Sequence, residues 1–285
     1  MPEGDTIFRT ARALGRALGG KPVTAFRSTF ALLSRFDDDA PLAGRTVERV
    51  ESRGKWLLIH FSGGATLAMH MLMTGAWHIY RHGERWLEPH WKMRIAIENA
   101  EFVTVGFNVP VAEMRTTAHL ARDPRIPDPA LDILGAEFDA TAAAARIGAQ
   151  LGEEIGNVLL DQRVLAGVGN VFKSEVCFVT GVHPFARVGS MSAEEIARVV
   201  AASRRLVGSN VLEDSGERIV TYGGRTRRTT RDAAPGASLW VYGRAGEPCL
   251  RCGTRVESRM QGKDVRVTFW CPMCQRIACS LPDLL

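Results

Sequence analysis

Residues 249–274 read CLRCGTRVESRMQGKDVRVTFWCPMC. Two CxxC pairs, Cys249/Cys252 and Cys271/Cys274, stand 18 residues apart and read as two knuckles on a short β-hairpin. Four thiolates at this spacing suit one tetrahedral, structural zinc ion. Such a site is closed and leaves no position for a substrate, so the metal holds a fold and does no chemistry. The alternatives are two unrelated thiol pairs or a redox pair, and the hairpin spacing argues against both. Arg259, Lys263 and Arg266 lie between the knuckles. They form either a stiff basic tip that reaches a phosphate or a flipped nucleotide, or an ordinary solvated tip.

The chain around this module has 285 residues, enough for about two domains. Its hydrophobic content of 46% supports a sizeable core. It contains no run of ~18 apolar residues, so no membrane span is expected. It does not open on a basic region followed by an apolar segment, so no signal peptide is expected either. A net charge of +5 leans toward a polyanionic partner, although a basic enzyme of another kind fits as well. Only five of the 36 basic residues are lysine: Lys21, Lys55, Lys92, Lys173 and Lys263. Lysine, unlike arginine, sheds its proton when desolvated, so a lysine at a special position is a candidate for chemistry. Cys177 and Cys279 stand outside the metal pattern. The cysteine usage fits a reduced, cytoplasmic protein with one metal site.

Working back to the start, residues 5–19 carry Ile7, Ala11, Leu14 and Leu18 at helical spacing, with Gly19-Gly20 as the stop. Strand-like runs follow: KPVTAFRS, RTVERVES, KWLLIHFS, TLAMHM, KMRIAIEN and EFVTVGF. SGGA (62–65) and ENAE (98–101) read as hairpin turns. This half is a β-sandwich or small barrel led by one helix. ARDPRIPDPA (121–130) holds three prolines and marks a linker. Beyond it the pattern turns helical, through TAAAARIGAQL, a segment around 155–181, and SAEEIARVVAASRRLVGS. The last opens on a capping box, Ser192 and Glu195. Residues 214–238 are polar, glycine-rich and basic. The expected division is 1–120 for the β domain, 121–130 linker, 131–238 helical domain and 239–285 zinc finger. The fold class is α+β.

Four further places are candidates for chemistry. In MPEGDTIF (1–8), a small second residue favours removal of Met1. Pro2 then carries a free secondary amine with Glu3 beside it: either a nucleophile with its acid, or a frayed terminus. Lys55, at the head of the strand after SRG, is either solvated or placed near Pro2 to shuttle protons. In MHMLMTG, Met71, Leu72 and Met73 are either core or protruding wedges that unstack a duplex. In AGVGN, Gly167 and Gly169 permit a tight double turn, and Asn170 opens the next helix. That asparagine is either a cap or a phosphate contact.

The start MPEG, the SRGK strand, the HxxMTG turn, AGVGN with its downstream GVHP, and the closing CxxC pairs occur in one order along essentially the whole chain. Together they resemble the Fpg/Nei family of DNA glycosylases. The resemblance implies a β-sandwich domain followed by a helix–two-turn–helix and zinc-finger domain. It implies Pro2 as the nucleophile, Glu3 as acid/base, Lys55 assisting β-elimination, and Arg266 linked to phosphate binding and δ-elimination. It makes Asn170 a phosphate contact and Leu72-Met73-Thr74 the wedge, with Cys249, Cys252, Cys271 and Cys274 holding one structural zinc. No organic cofactor is implied. Arg225 and Arg227, in the basic loop GGRTRRTTR, are expected to contact DNA. MPEG rather than MPEL, and VGFNVPVAEM where the 8-oxoguanine branch carries a DPRRFG-like stretch, point to the endonuclease VIII side of actinobacterial type. Thr6 stands where many relatives carry glutamate, next to Asp5.

The expectation is therefore a bifunctional glycosylase/AP lyase acting on oxidised bases, pyrimidines favoured, in damaged DNA. It would work as a monomer in the bacterial cytoplasm, at the nucleoid. An oxidised-purine enzyme of the same family and a catalytically idle damaged-DNA-binding protein are the alternatives.

Overall fold

The computed structural model describes residues 2–120, 122–211 and 239–276. They fall into two compact units, one running to Pro127 and the other beginning at Asp128. Helix α1 (Gly4–Leu18) leads the first unit, and Ile7, Ala11, Leu14 and Leu18 on one of its faces are all buried. Then come β1 (Ala25–Ser28), α2 (Ala31–Asp39), β2 (Val47–Arg53), β3 (Trp56–Phe61), β4 (Ala65–His70) and β5 (Ala76–Arg81). β6 (Met93–Glu98), β7 (Phe102–Phe107), β8 (Val111–Thr116) and α3 (Thr117–Leu120) complete it.

The strands form two antiparallel four-stranded sheets, β1-β6-β7-β5 and β2-β3-β4-β8. One apolar cluster joins them. It contains Leu57, Ile59, Leu67 and Met69 of one sheet, Trp77, Ile79, Ile95 and Ile97 of the other, and the buried face of α1. This is the expected sandwich led by a helix. The six strand-like runs correspond to β1, β2, β3, β4, β6 and β7.

Four elements are absent from the sequence reading: β5, β8, α2 and the short α3. β5 buries four consecutive residues, Trp77 to Tyr80, so it shows no alternation of exposure. β8 is mostly half-buried and polar, and its pairing with β4 decides its state. α2 buries only Leu33. Lys55 also differs from the expectation. It does not begin a strand; it lies with Gly54 in a two-residue turn where Arg53 pairs with Trp56. Gly54 has φ +58°, the left-handed region that glycine enters without steric cost.

Ile126 packs with Trp56, Leu58, Ala68 and Leu120 on the first unit. Asp128 caps the turn that opens the second, accepting from the Ala130 N–H. The second unit contains α4 (Ala140–Gly148), α5 (Ile155–Val158), α6 (Asn170–Thr180) and α7 (Ala193–Ser209), then β9 (Glu257–Gln261) and β10 (Arg266–Trp270). The Ser192–Glu195 capping box is present at the start of α7. Phe172 and Val176 of α6 pack on Val199, Val200 and Leu206 of α7. A separate cluster of Phe178, Val241, Val256, Cys249 and Cys271 joins α6 to the cysteine module. Among the described residues no helix is long and apolar enough to cross a membrane. Arg225, Arg227 and Cys279 lie outside the described residues.

Candidate functional site

The N-terminal residues are not left loose. Glu3 is the N-cap of α1, and its carbonyl accepts from the Thr6 and Ile7 N–H groups at 3.0 and 3.1 Å. Its side chain is fully buried, and Pro2 is half-buried immediately before it. Because α1 is anchored in the core, Glu3 and the adjoining Pro2 are tied down rather than frayed. Asp5 is a second fully buried carboxylate in the first turn. It lies 3.5 Å from Arg9 and accepts from the Thr6 hydroxyl at 3.3 Å. Thr6 therefore supports a carboxylate one residue upstream of the position where many relatives are expected to carry glutamate.

Lys55, in the β2–β3 turn, faces the end of β4. Burial, and then the nearby Lys55 charge, hold the His70 imidazolium below its ordinary pKa. The neutral ring puts Nδ1 to use as an acceptor for the Leu72 N–H at 3.1 Å. His70 thus shapes the turn at residues 71–75. Leu72 adopts φ +44°, a conformation costly for a branched side chain. Gly75 is required there, since an added Cβ would come within 2.9 Å of the Met71 carbonyl oxygen and sulfur. The turn leaves Leu72 48% and Met73 58% exposed, while Met71 is buried. Thr74 donates its hydroxyl to the Asn108 carbonyl at 3.2 Å. Of the alternatives read from the sequence, Met71 is core and the next two residues protrude. His70 was missed as an individual residue, although it opens the HxxMTG motif.

The second unit holds its own group. Gly167 at φ +102° makes the double turn before α6. Gln162 locks that turn, accepting from the Gly167 N–H at 2.9 Å and donating to the Leu160 and Val168 carbonyls. Asn170 then opens α6, donating Nδ2 to the Val267 carbonyl of β10 at 2.8 Å. Its Oδ1 is buried without a hydrogen-bond partner among the described residues. Arg266, half-buried, precedes Val267, so this contact brings Asn170 and Arg266 to one place. Lys263 is at the exposed hairpin tip. Arg259 is not: its guanidinium lies over the Phe185 ring, 3.9 Å from the centroid. Behind the hairpin, buried Lys173 donates to Thr268 at 2.6 Å and Thr268 donates to Gln261 at 2.8 Å. Gln261 in turn donates to Glu154. This polar chain joins the hairpin to the helices.

Two buried residues of α6 complete the frame: Glu175, which the sequence reading passed over, and Cys177, which it set outside the metal pattern. Glu175 of α6 accepts the N–H groups of Trp240, Val241 and Tyr242, at 2.7, 2.9 and 2.9 Å. Cys177 is fully buried and its thiol is pushed up to about 12, so it is an inert core residue. The four knuckle cysteines converge, with ligand atoms all within 4.8 Å of one another. The Cys249–Cys274 and Cys252–Cys271 sulfurs are 4.0 and 3.5 Å apart. A tetrahedron with ~2.3 Å metal–sulfur bonds has edges of about 3.8 Å, so the donor set fits a structural zinc ion.

Comparison with known proteins agrees with this arrangement. Residues 1–108 match the formamidopyrimidine-DNA glycosylase N-terminal domain and 127–220 its H2TH domain. Residues 246–277 match the zinc finger found in FPG and IleRS. The chain is 41% identical to a probable endonuclease 8 2 of Streptomyces coelicolor, over 96% of this chain and 94% of that protein. It is 38% identical to the DNA-(apurinic or apyrimidinic site) lyase Nei2 of Mycolicibacterium smegmatis, over 96% and 99%. The fold is that of Lactococcus lactis Fpg solved with DNA containing an abasic site, with a TM-score of 0.79 at 18% identity over 96% and 100% of the two chains. A sandwich led by an anchored helix, a glycine double turn opening on asparagine and a four-cysteine hairpin, matched by relatives over nearly their whole length, place this chain in the Fpg/Nei (formamidopyrimidine-DNA glycosylase/endonuclease 8) family.

Proposed function

We propose that this chain is a bifunctional DNA glycosylase/AP lyase of base excision repair that removes oxidised bases, pyrimidines before purines. The observation that carries the reading is the N-terminus. Pro2 leads directly into a buried Glu3 and a helix anchored in the core. Once Met1 is removed, the secondary amine has an ordinary pKa near ~8 and is partly neutral at cellular pH. Its nitrogen attacks C1′ of the damaged nucleotide, the glycosidic bond breaks, and the base leaves with a proton from Glu3. The amine proton passes to the Glu3 carboxylate, leaving a neutral aminal at C1′. Glu3 gives it on to O4′ as the C1′–O4′ bond breaks, and the opened sugar is held as an iminium ion, which acidifies the C2′ proton. Lys55 assists removal of that C2′ proton, and the C3′–O bond breaks in β-elimination. Arg266 and Asn170 bind phosphate, and Arg266 supports the second, δ-elimination. Leu72, Met73 and Thr74 enter the stack as the damaged nucleotide leaves it. Zinc keeps the hairpin that carries Arg266 in shape and takes no part in the chemistry. Arg225 and Arg227 contact the DNA backbone, and the protein works as a monomer in the bacterial cytoplasm, at the nucleoid.

The relatives' names support the lyase reading. Identity of 41% and 38% to endonuclease 8-type proteins over nearly the whole chain supports the endonuclease 8 side of the family. Borohydride trapping tests it. The processed protein is mixed with duplexes carrying thymine glycol, 8-oxoguanine or an abasic site, and reduced. The expected result is a covalent adduct mapped to Pro2, with more product from thymine glycol than from 8-oxoguanine. The reverse order would make it a purine enzyme. Tight binding without any adduct would make it a binding protein only.

A further inference from the structure

The loop from β5 to β6 ends in an exposed aromatic residue on a rigid support. Trp91 is 78% exposed. Around it the loop is well tied. Trp86 stacks on His90 at 4.2 Å and lies edge-on to Phe107 at 5.7 Å. The Leu87 N–H donates to the Tyr80 hydroxyl at 3.1 Å, and that hydroxyl is 2.8 Å from His78 Nδ1. Lys92 donates to Glu88 at 2.7 Å, with its ammonium 5.5 Å from the centre of the Trp91 ring. A large apolar ring held in water by an ordered loop signals a contact surface.

Its position says what the contact is. Register pairs Met93 and Ala76 with the same residue, Phe107, on either side of β7. Neighbouring strands are about 4.8 Å apart, so β6 and β5 begin about 10 Å from each other at one rim of the sheet. Trp91 precedes Met93 by two residues, and Thr74 precedes Ala76 by two. Asn108 bridges them, donating its N–H to the Lys92 carbonyl at 2.9 Å and accepting from Thr74. Asn108 itself adopts φ +49°. The loop it opens presents no large side chain: Val109 is buried and Pro110 follows. Trp91 is therefore the large side chain that accompanies Leu72 and Met73 at this rim.

We propose that Trp91 is a second base-stacking residue, which lies on the base opposite the lesion while Met73 fills the gap left by the flipped nucleotide. This rests on the glycosylase/lyase reading. Stacking on an aromatic face needs no particular base, which suits a residue that must meet whichever base is left unpaired.

The test uses the full-length, zinc-loaded protein. The probe is a duplex with a tetrahydrofuran abasic analogue and 2-aminopurine opposite it. Wild type should quench the 2-aminopurine fluorescence on binding. Trp91→Ala should lose most of the quench and bind this duplex on the order of tenfold more weakly. It should bind undamaged duplex as wild type does and keep its thermal midpoint, the side chain being exposed. Trp91→Phe should restore most of both signals. A Trp91→Ala protein that quenches and binds as wild type, or that weakens equally on undamaged duplex, overturns the proposal. Borohydride trapping of wild type on an abasic duplex separates the two readings. An adduct with no effect of Trp91 removes only the stacking role, whereas no adduct removes the reading beneath it.

Discussion

Replacing Glu175 by glutamine changes one oxygen for an amide nitrogen and should unsettle the whole cysteine module. The carboxylate accepts three consecutive backbone N–H groups: Oε1 takes Val241 and Tyr242, and Oε2 takes Trp240. Hydrogen bonds to a charged group contribute about 1.5–3 kcal/mol each. Glutamine offers one acceptor oxygen. If that oxygen keeps Val241 and Tyr242, its NH2 group meets the Trp240 N–H, donor against donor. One charge-assisted bond is lost outright, and the other two weaken with the charge gone. The sum is about 3–4 kcal/mol. At about 2–4 °C per kcal/mol the midpoint should fall by roughly 10 °C. Val241 is fully buried with Cys249 and Cys271, and Trp240 stacks on Phe178 at 5.2 Å. Zinc loss to a chromogenic chelator should therefore quicken in the same variant. The assay is thermal unfolding followed by tryptophan fluorescence, with chelator-monitored zinc release in parallel. A midpoint within ~1 °C of wild type with unchanged zinc release would refute the reasoning.

Four other outcomes are expected. Pro2→Gly should keep DNA binding but lose most base release from thymine glycol; release at the wild-type rate would remove Pro2 as nucleophile. Asn170→Ala and Arg266→Ala should each weaken duplex binding in an anisotropy titration; Arg266→Ala, which removes a cation, should also reduce the slope of log affinity against log salt by about 1, and Asn170→Ala should leave that slope unchanged. Cys249→Ala, or strong chelation, should release zinc and lower DNA affinity; full retention of both would sink the zinc assignment. Stability should also fall on acidification. Burial comes first among the causes that hold His70, His78 and His183 below their ordinary pKa. The fold favours the neutral ring, and the unfolded chain binds more protons below about pH 6.5. Their contribution is present above that pH and is lost as pH falls toward the folded values. A denaturation midpoint unchanged between pH 7.5 and 5.5 would contradict this.

Residues that act through local geometry were legible from the chain alone. The four cysteines, the capping box at Ser192 and the buried stripe of α1 each depend on spacing over a few residues, and spacing is written in the sequence. So was the candidacy of Pro2, Glu3 and Asn170. The residues that escaped act across long separations. Glu175 looks like one charge in an apolar helix until 240–242 folds against it. His70 gains a role only when β3 and β4 bring Lys55 beside it. β5 and β8 lie at sheet edges, where pairing with a distant strand settles the conformation. Trp91 and Met73 are 18 residues apart in the chain, and only the shared partner Phe107 puts them on one rim.

By itself, then, the sequence determined the class of fold and the four-cysteine site, and it made Pro2 and Glu3 candidates. These follow from residue types at short intervals, where backbone geometry leaves few choices. Tertiary structure alone decided which of the protruding residues stand together, which carboxylates are buried, and what holds each loop in place. Those depend on strand register and on the desolvation of polar groups, and both are properties of the packed chain.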